Sequence, residues 1–123
     1  MYKFKTPALR NVSLTAPYGH NGAYSTLKGI IKHHLNPIDM NKSWKPAYAN
    51  LPNAPWLKRI DFVTFSDKRE QDRILSSINI QPVDLDEKEI DQLVLFLESL
   101  TGKSGNQRPF GKPIKVPSGL TID

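Results

Sequence analysis

Four side chains in this 123-residue sequence are chemically suggestive by type and place: His20, His33, His34 and Arg10. His34 follows Leu27, Ile30 and Ile31 at the i, i+3, i+4, i+7 spacing of one helical face. An imidazole on an apolar face has two ordinary uses. It is a core side chain bonded to a backbone carbonyl, the commoner case, or an axial ligand whose neutral nitrogen meets a haem iron in an apolar slot. His33 stands about 100° away around the helix, toward the flank. Adjacent residues on a helix point apart, so His33 and His34 do not easily share one ion, which counts against a zinc site made from the three histidines. His20 lies in the turn Pro17-Tyr18-Gly19-His20-Asn21-Gly22. A histidine there serves as ligand, as acid or base, or, most commonly, as a hydrogen-bonding staple. Arg10 sits in an apolar loop between Leu9 and Val12. It reads either as the partner of a local carboxylate or as a bidentate grip on a carboxylate-bearing cofactor.

Other chemistries lack their residues. There is no cysteine, which excludes disulfides, thiolate zinc sites, cysteine nucleophiles and covalent haem attachment by these residues. No glycine-rich phosphate loop, Gly-x-Ser-x-Gly elbow or catalytically spaced carboxylate pair occurs. The net charge is +5, from 17 basic and 12 acidic residues. The basic residues are scattered without a five-residue block, which reads as a solvated surface and argues against nucleic-acid binding. No apolar run approaches the roughly 20 residues that span a bilayer, and no charged-then-apolar leader is visible.

The elements that must place these side chains are helical. A helix over 26–35, capped by Ser25 or Thr26 and ended by Asn36-Pro37, carries His34. Gly29 weakens it by about 1 kcal/mol relative to alanine and suits close packing. Asp86-Glu87-Lys88-Glu89 opens a second helix over 86–100 with a capping box, and Gly102 is a natural stop. Ile90, Leu93, Val94, Leu97 and Leu100 form its apolar stripe, which Leu95 and Phe96 widen beyond half its girth. Residues 1–24 read as an ordered, packed loop. Residues 36–82 read as an insertion-like loop region, with Trp44, Tyr48 and Trp56 as anchors and one short helix near 67–77 capped by Ser66 or Asp67. Residues 101–123 read as an extended polar tail. The fold class is all-α.

The ordered motifs Phe4-Lys5-Thr6-Pro7-Ala8-Leu9-Arg10-Asn11-Val12, Leu14-Thr15-Ala16-Pro17-Tyr18-Gly19-His20-Asn21-Gly22 and Thr26-Leu27 resemble the C-terminal haem domain of bacterial di-haem cytochrome c peroxidases and the related methylamine-utilisation di-haem enzymes. Leu85 to Gly102 resembles the last helix of that domain, and Val116-Pro117-Ser118-Gly119-Leu120 the tail of some members. The likeness covers about residues 4–35 and 78–123, and the middle only loosely. It implies that residues 1–123 are the C-terminal part of a single cytochrome c-like domain carrying haem c. The family's sixth haem ligand lies fourteen residues after the histidine of the Pro-Tyr-x-His-x-Gly turn, which is His34 when counted from His20. Methionine or tyrosine is usual there, so histidine departs from the common pattern. By the same resemblance Arg10 falls near the haem propionates, and Thr15 and Pro17 where backbone carbonyls reach a calcium ion. His20 falls at the haem edge, fixing the loop.

The resemblance also implies a Cys-x-x-Cys-His attachment motif upstream of residue 4 and a separate peroxidatic domain. The sequence then corresponds to a fragment, a split gene product or a degenerate copy, without peroxidase activity alone. The implied partners are the N-terminal haem-bearing portion of the parent, a small cytochrome or cupredoxin as electron donor, and a second copy in a homodimeric parent. The implied compartment is the periplasm. The alternative is a non-enzymatic basic helical module that binds an acidic protein.

Overall fold

Capping residues decide where helices begin in this chain. The computed structural model describes residues 5–51, 53–57 and 60–103; the expected 104–123 segment of the tail lies outside them. Among the described residues are five α-helices: α1 (Leu27–Leu35), α2 (Pro37–Ser43), α3 (Val63–Ser66), α4 (Lys68–Ser77) and α5 (Glu87–Ser99). No strand occurs among them beyond an isolated antiparallel bridge between Tyr18 and Tyr24, so the fold is all-α as expected. Thr26 is the cap of α1, its hydroxyl accepting the Gly29 amide at 3.1 Å. At α5 the box is closed both ways: the Asp86 carboxylate accepts the Glu89 amide at 2.8 Å and Glu89 accepts the Asp86 amide at 2.9 Å. Asp67 caps α4 by accepting the Arg69 amide at 2.9 Å. Such caps are each worth about 1 kcal/mol.

The Asn36-Pro37 stop is also a start. The Asn36 amide closes α1 on the Lys32 carbonyl, while its side chain accepts the Asp39 amide at 3.1 Å and opens α2. Pro37 occupies the first turn of α2, where a missing N–H costs nothing. The region 36–82 therefore holds α2, α3 and α4 rather than one short helix in a loop. Of its expected anchors, Trp44 alone behaves as one. It is half-buried, its Nε1 donates to the Ala23 carbonyl at 2.8 Å, and its ring meets Phe65 edge-on at 5.2 Å. Tyr48 and Trp56 are exposed, Trp56 at 78%.

The core is small. Tyr18, Leu27, Ile31 and Ile90 are its buried large side chains, each burial worth about 2 kcal/mol. α1 packs on α2 and α5. Lys28 and Lys32 clamp α1 to α5 through Asp91 and Glu87, at 2.6 Å for Lys28–Asp91, 2.9 Å for Lys28–Glu87 and 2.5 Å for Lys32–Glu87. The apolar stripe of α5 is not buried on more than half its girth. Ile90 is 5% exposed, but Leu95 is 65% and Phe96 56% exposed; among the described residues α1 and the Val12–Leu14 turn pack on this helix. The N-terminal loop is packed in part: Tyr18 is buried and the Val12–Leu14 turn lies on α5, while Leu9 and Leu14 are exposed. Polar bonds hold it too, the Asn11 amide donating to the Leu100 carbonyl at 3.2 Å and the Ser13 and Thr101 hydroxyls pairing at 2.6 Å. Gly102 does not take the left-handed backbone of a helix stop. α5 ends at Leu100, and the Gly102 amide is bound by the Asn11 side chain.

Candidate functional site

The turn that carries His20 is built from its backbone outward. Tyr18 and Tyr24 exchange two backbone bonds, 2.7 and 3.0 Å, and the residues between them must reverse the chain. Gly19, Asn21 and Gly22 do so at φ of 75°, 55° and 68°. Left-handed φ is ordinary for glycine and tolerated by asparagine. At Gly22 the space is also closed, since a Cβ would stand 2.9 Å from Pro17 Cγ. Two further bonds fasten the turn, from Trp44 Nε1 to the Ala23 carbonyl and from the Asn50 amide to the Gly22 carbonyl. The Tyr18 hydroxyl donates to the Ser13 carbonyl at 3.2 Å. His20 is exposed on this fixed turn.

One side of α1 lies against the same turn. At Gly29 a Cβ would stand 3.2 Å from Tyr24 Cδ1, and at Gly19 one would stand 3.4 Å from Ile30 Cδ1, so the two glycines permit the contact. The next residue on that side is His33, not His34. The Tyr24 hydroxyl pairs with His33 Nδ1 at 3.0 Å, with ring centroids 5.2 Å apart. Burial, and then the neighbouring His34, hold the His33 imidazole below its ordinary pKa. Burial raises the Tyr24 phenol.

His34 is exposed one turn beyond Ile30 and Ile31, and among the described residues no hydrogen bond holds its ring. Its imidazole meets that of His33 edge-on at 5.9 Å. The apolar face thus buries Leu27 and Ile31 and leaves the histidine that ends it facing solvent.

Arg10 is exposed rather than buried in an apolar loop, and no carboxylate among the described residues pairs with it. Its Nη2 lies beside Gly102. Thr15 and Pro17 are exposed, and the Thr15 hydroxyl donates to the Val12 carbonyl at 2.9 Å. Among the described residues no group of three histidines or carboxylates could hold a metal ion. A groove of about 300 Å³ lies between α1, α2 and the chain entering α5, lined by Leu35, Met40, Val83 and Ile90 among others. It contains none of the candidate residues. Among the described residues, His34 offers an imidazole without a hydrogen bond and Arg10 a guanidinium without a carboxylate partner. Tyr24 is the residue that sequence reasoning missed; its signal was an aromatic nine residues before His33, just after a two-glycine turn.

Comparison with known proteins decides the kinship of this arrangement. The methylamine utilization protein MauG of Paracoccus denitrificans (strain Pd 1222) is 35% identical over 104 residues, 82% of this chain and 23% of that protein. Over most of its length the chain is similar to MauG, an enzyme of the di-haem cytochrome c peroxidase family. MauG of Methylophilus methylotrophus is 40% identical over 42 residues, 34% of this chain and 12% of that protein. The chain thus spans about a quarter or less of the length of these relatives. No protein-family model and no solved structure matches it. Among the described residues no helix is long and apolar enough to cross a membrane.

Proposed function

We propose that this chain forms the distal, C-terminal part of a c-type haem domain in a di-haem peroxidase-like enzyme, with His34 as the axial ligand. The observation that carries the reading is an exposed imidazole at the end of α1, without a hydrogen bond among the described residues, inside a match of 104 residues to MauG. A single free imidazole fits one axial position of a haem iron and fits a self-contained metal site poorly. Haem c, when bound, supplies one-electron chemistry, which in the parent enzyme serves the reduction of hydrogen peroxide.

The chain's own residues have limited roles. His34 lends a neutral nitrogen, which Met or Tyr lends in most of the family. Histidine there lowers the iron potential relative to a Met/His pair. A strong sixth ligand also favours a low-spin, electron-transferring centre over an open, peroxide-binding one. Arg10 brings a guanidinium that no carboxylate among the described residues pairs, suited to a propionate. The turn fixed by Tyr18, Trp44 and the two glycines holds His20 at the edge of the site. The uncovered face of α5, with Leu93, Leu95 and Phe96 exposed, is the face that the rest of the parent domain covers. The same reading places calcium on the Thr15 and Pro17 carbonyls, the protein in the periplasm, a small cytochrome or cupredoxin as electron donor, and two copies in the parent.

Haem titration tests this reading. The chain alone should bind haem weakly and lose it on dialysis, because the covalent anchor and proximal histidine are not among its residues. Joined to a segment carrying Cys-x-x-Cys-His in a host that matures c-type cytochromes, it should retain haem through denaturing electrophoresis and show a low-spin Soret spectrum. Tight one-to-one retention by the chain alone, or no low-spin spectrum after joining, counts against it.

A further inference from the structure

Two adjacent imidazoles end α1, and something must decide which of them is offered to a ligand. We propose that Tyr24 is the selecting residue: its hydroxyl occupies His33 Nδ1 and leaves His34 as the imidazole presented for coordination. The inference rests on the haem-ligand reading for the role of the selection, but the selection itself is a property of the chain without haem.

The geometry carries the argument. The Tyr24 oxygen lies 3.0 Å from His33 Nδ1 in a half-buried contact. Among the described residues this is the one hydrogen-bond partner of the Tyr24 hydroxyl. A phenol has one proton to donate. When the phenol donates that proton to Nδ1, the tautomer rule puts the His33 proton on Nε2. In that tautomer, the one the proposal requires, Nδ1 accepts and Nε2 carries the proton, so neither lone pair is free for a metal.

Tyr24 itself cannot easily move away. Its backbone is paired both ways with Tyr18, and its ring lies where a Cβ on Gly29 would come within 3.2 Å. Among the described residues no hydrogen bond restrains His34 in this way. Tyr24 is therefore a positioning residue that acts on the site through His33, not a ligand.

The test uses the full chain without haem. Diethyl pyrocarbonate acylates unengaged neutral imidazoles, and peptide mass spectrometry with backbone fragmentation resolves His20, His33 and His34. In the native chain His33 should react about fivefold more slowly than His34, the factor that one net hydrogen bond confers. Tyr24→Phe keeps the ring and its packing but removes the hydroxyl. It should raise the His33 rate about fivefold while leaving His20 and His34 unchanged. Nitrogen-15 spectra should show His33 Nδ1 moving from a bonded to a free acceptor, with His33 regaining tautomer exchange. Equal rates at His33 and His34 in the native chain, an unchanged His33 in Tyr24→Phe, or a uniform rise at all three histidines would overturn the proposal. The haem-ligand reading stands or falls separately, on whether His34→Ala abolishes the low-spin spectrum of the joined protein.

Discussion

The Asn11 side-chain oxygen accepts the Gly102 amide at 2.8 Å, closing 91 residues of sequence. Asn11 holds this position at φ 59°, a left-handed backbone that asparagine tolerates better than most side chains. With the Asn11 amide on the Leu100 carbonyl, one residue fastens the loop that carries Arg10 to the end of α5.

Asn11→Gly should cost about 1 kcal/mol, the net worth of the lost bond, because glycine keeps the left-handed backbone at no strain. Asn11→Ala should cost about 1 kcal/mol more, from forcing alanine into that backbone. Urea denaturation midpoints of the two variants check the difference, and faster amide exchange at Gly102 in both confirms its cause. Equal midpoints for Gly and Ala would show that the backbone strain is absent.

Glu87 should titrate far below an ordinary glutamate. Hydrogen bonds from Lys32 and then Lys28 hold its carboxyl down to about 2. A depressed carboxyl stabilises the folded state above its unfolded pKa and loses that contribution as pH falls through the folded one. The α1–α5 clamp should therefore be intact above about pH 4.5 and released toward pH 2. The pairs are solvent-exposed, so high salt should move the Glu87 midpoint back up. A carboxyl-carbon NMR titration reads this directly; a midpoint near 4.5 at low salt means the clamp does not form in solution.

The two tryptophans should behave oppositely. Trp44→Phe should destabilise by about 1–2 kcal/mol, through the lost bond to Ala23 and poorer packing on Phe65. Trp56→Ala, at a side chain 78% exposed, should change stability by less than about 0.5 kcal/mol. Iodide quenching should reach Trp56 and spare Trp44. Comparable protection of both indoles would place Trp56 against a surface.

What the sequence made legible follows from the range of the forces involved. α1, α4 and α5 were readable because their signals are local: Thr26, Asp67 and Asp86 cap within three residues. α2 was hidden because Asn36-Pro37 ends one helix and begins the next, and the same two residues serve both. Gly102 looked like a left-handed stop, and only the distant Asn11 shows why it is not one. Periodicity found the stripe on α5 but could not say whether its cover belongs to this chain, and here Leu95 and Phe96 are exposed. At the site, His34 stood out by helical period and by its spacing from His20. Which imidazole is fastened was not legible, since that depends on the side of α1 that meets Tyr24, nine residues before His33.

The central claim is that His34, and not His33, is the axial ligand. The most direct measurement is the absorption and electron paramagnetic resonance spectrum of residues 4–123 joined to a Cys-x-x-Cys-His segment, compared between His33→Ala and His34→Ala. His34→Ala should convert the iron from low to high spin, while His33→Ala should leave it low-spin. Conversion by His33→Ala with His34→Ala unaffected would contradict the assignment.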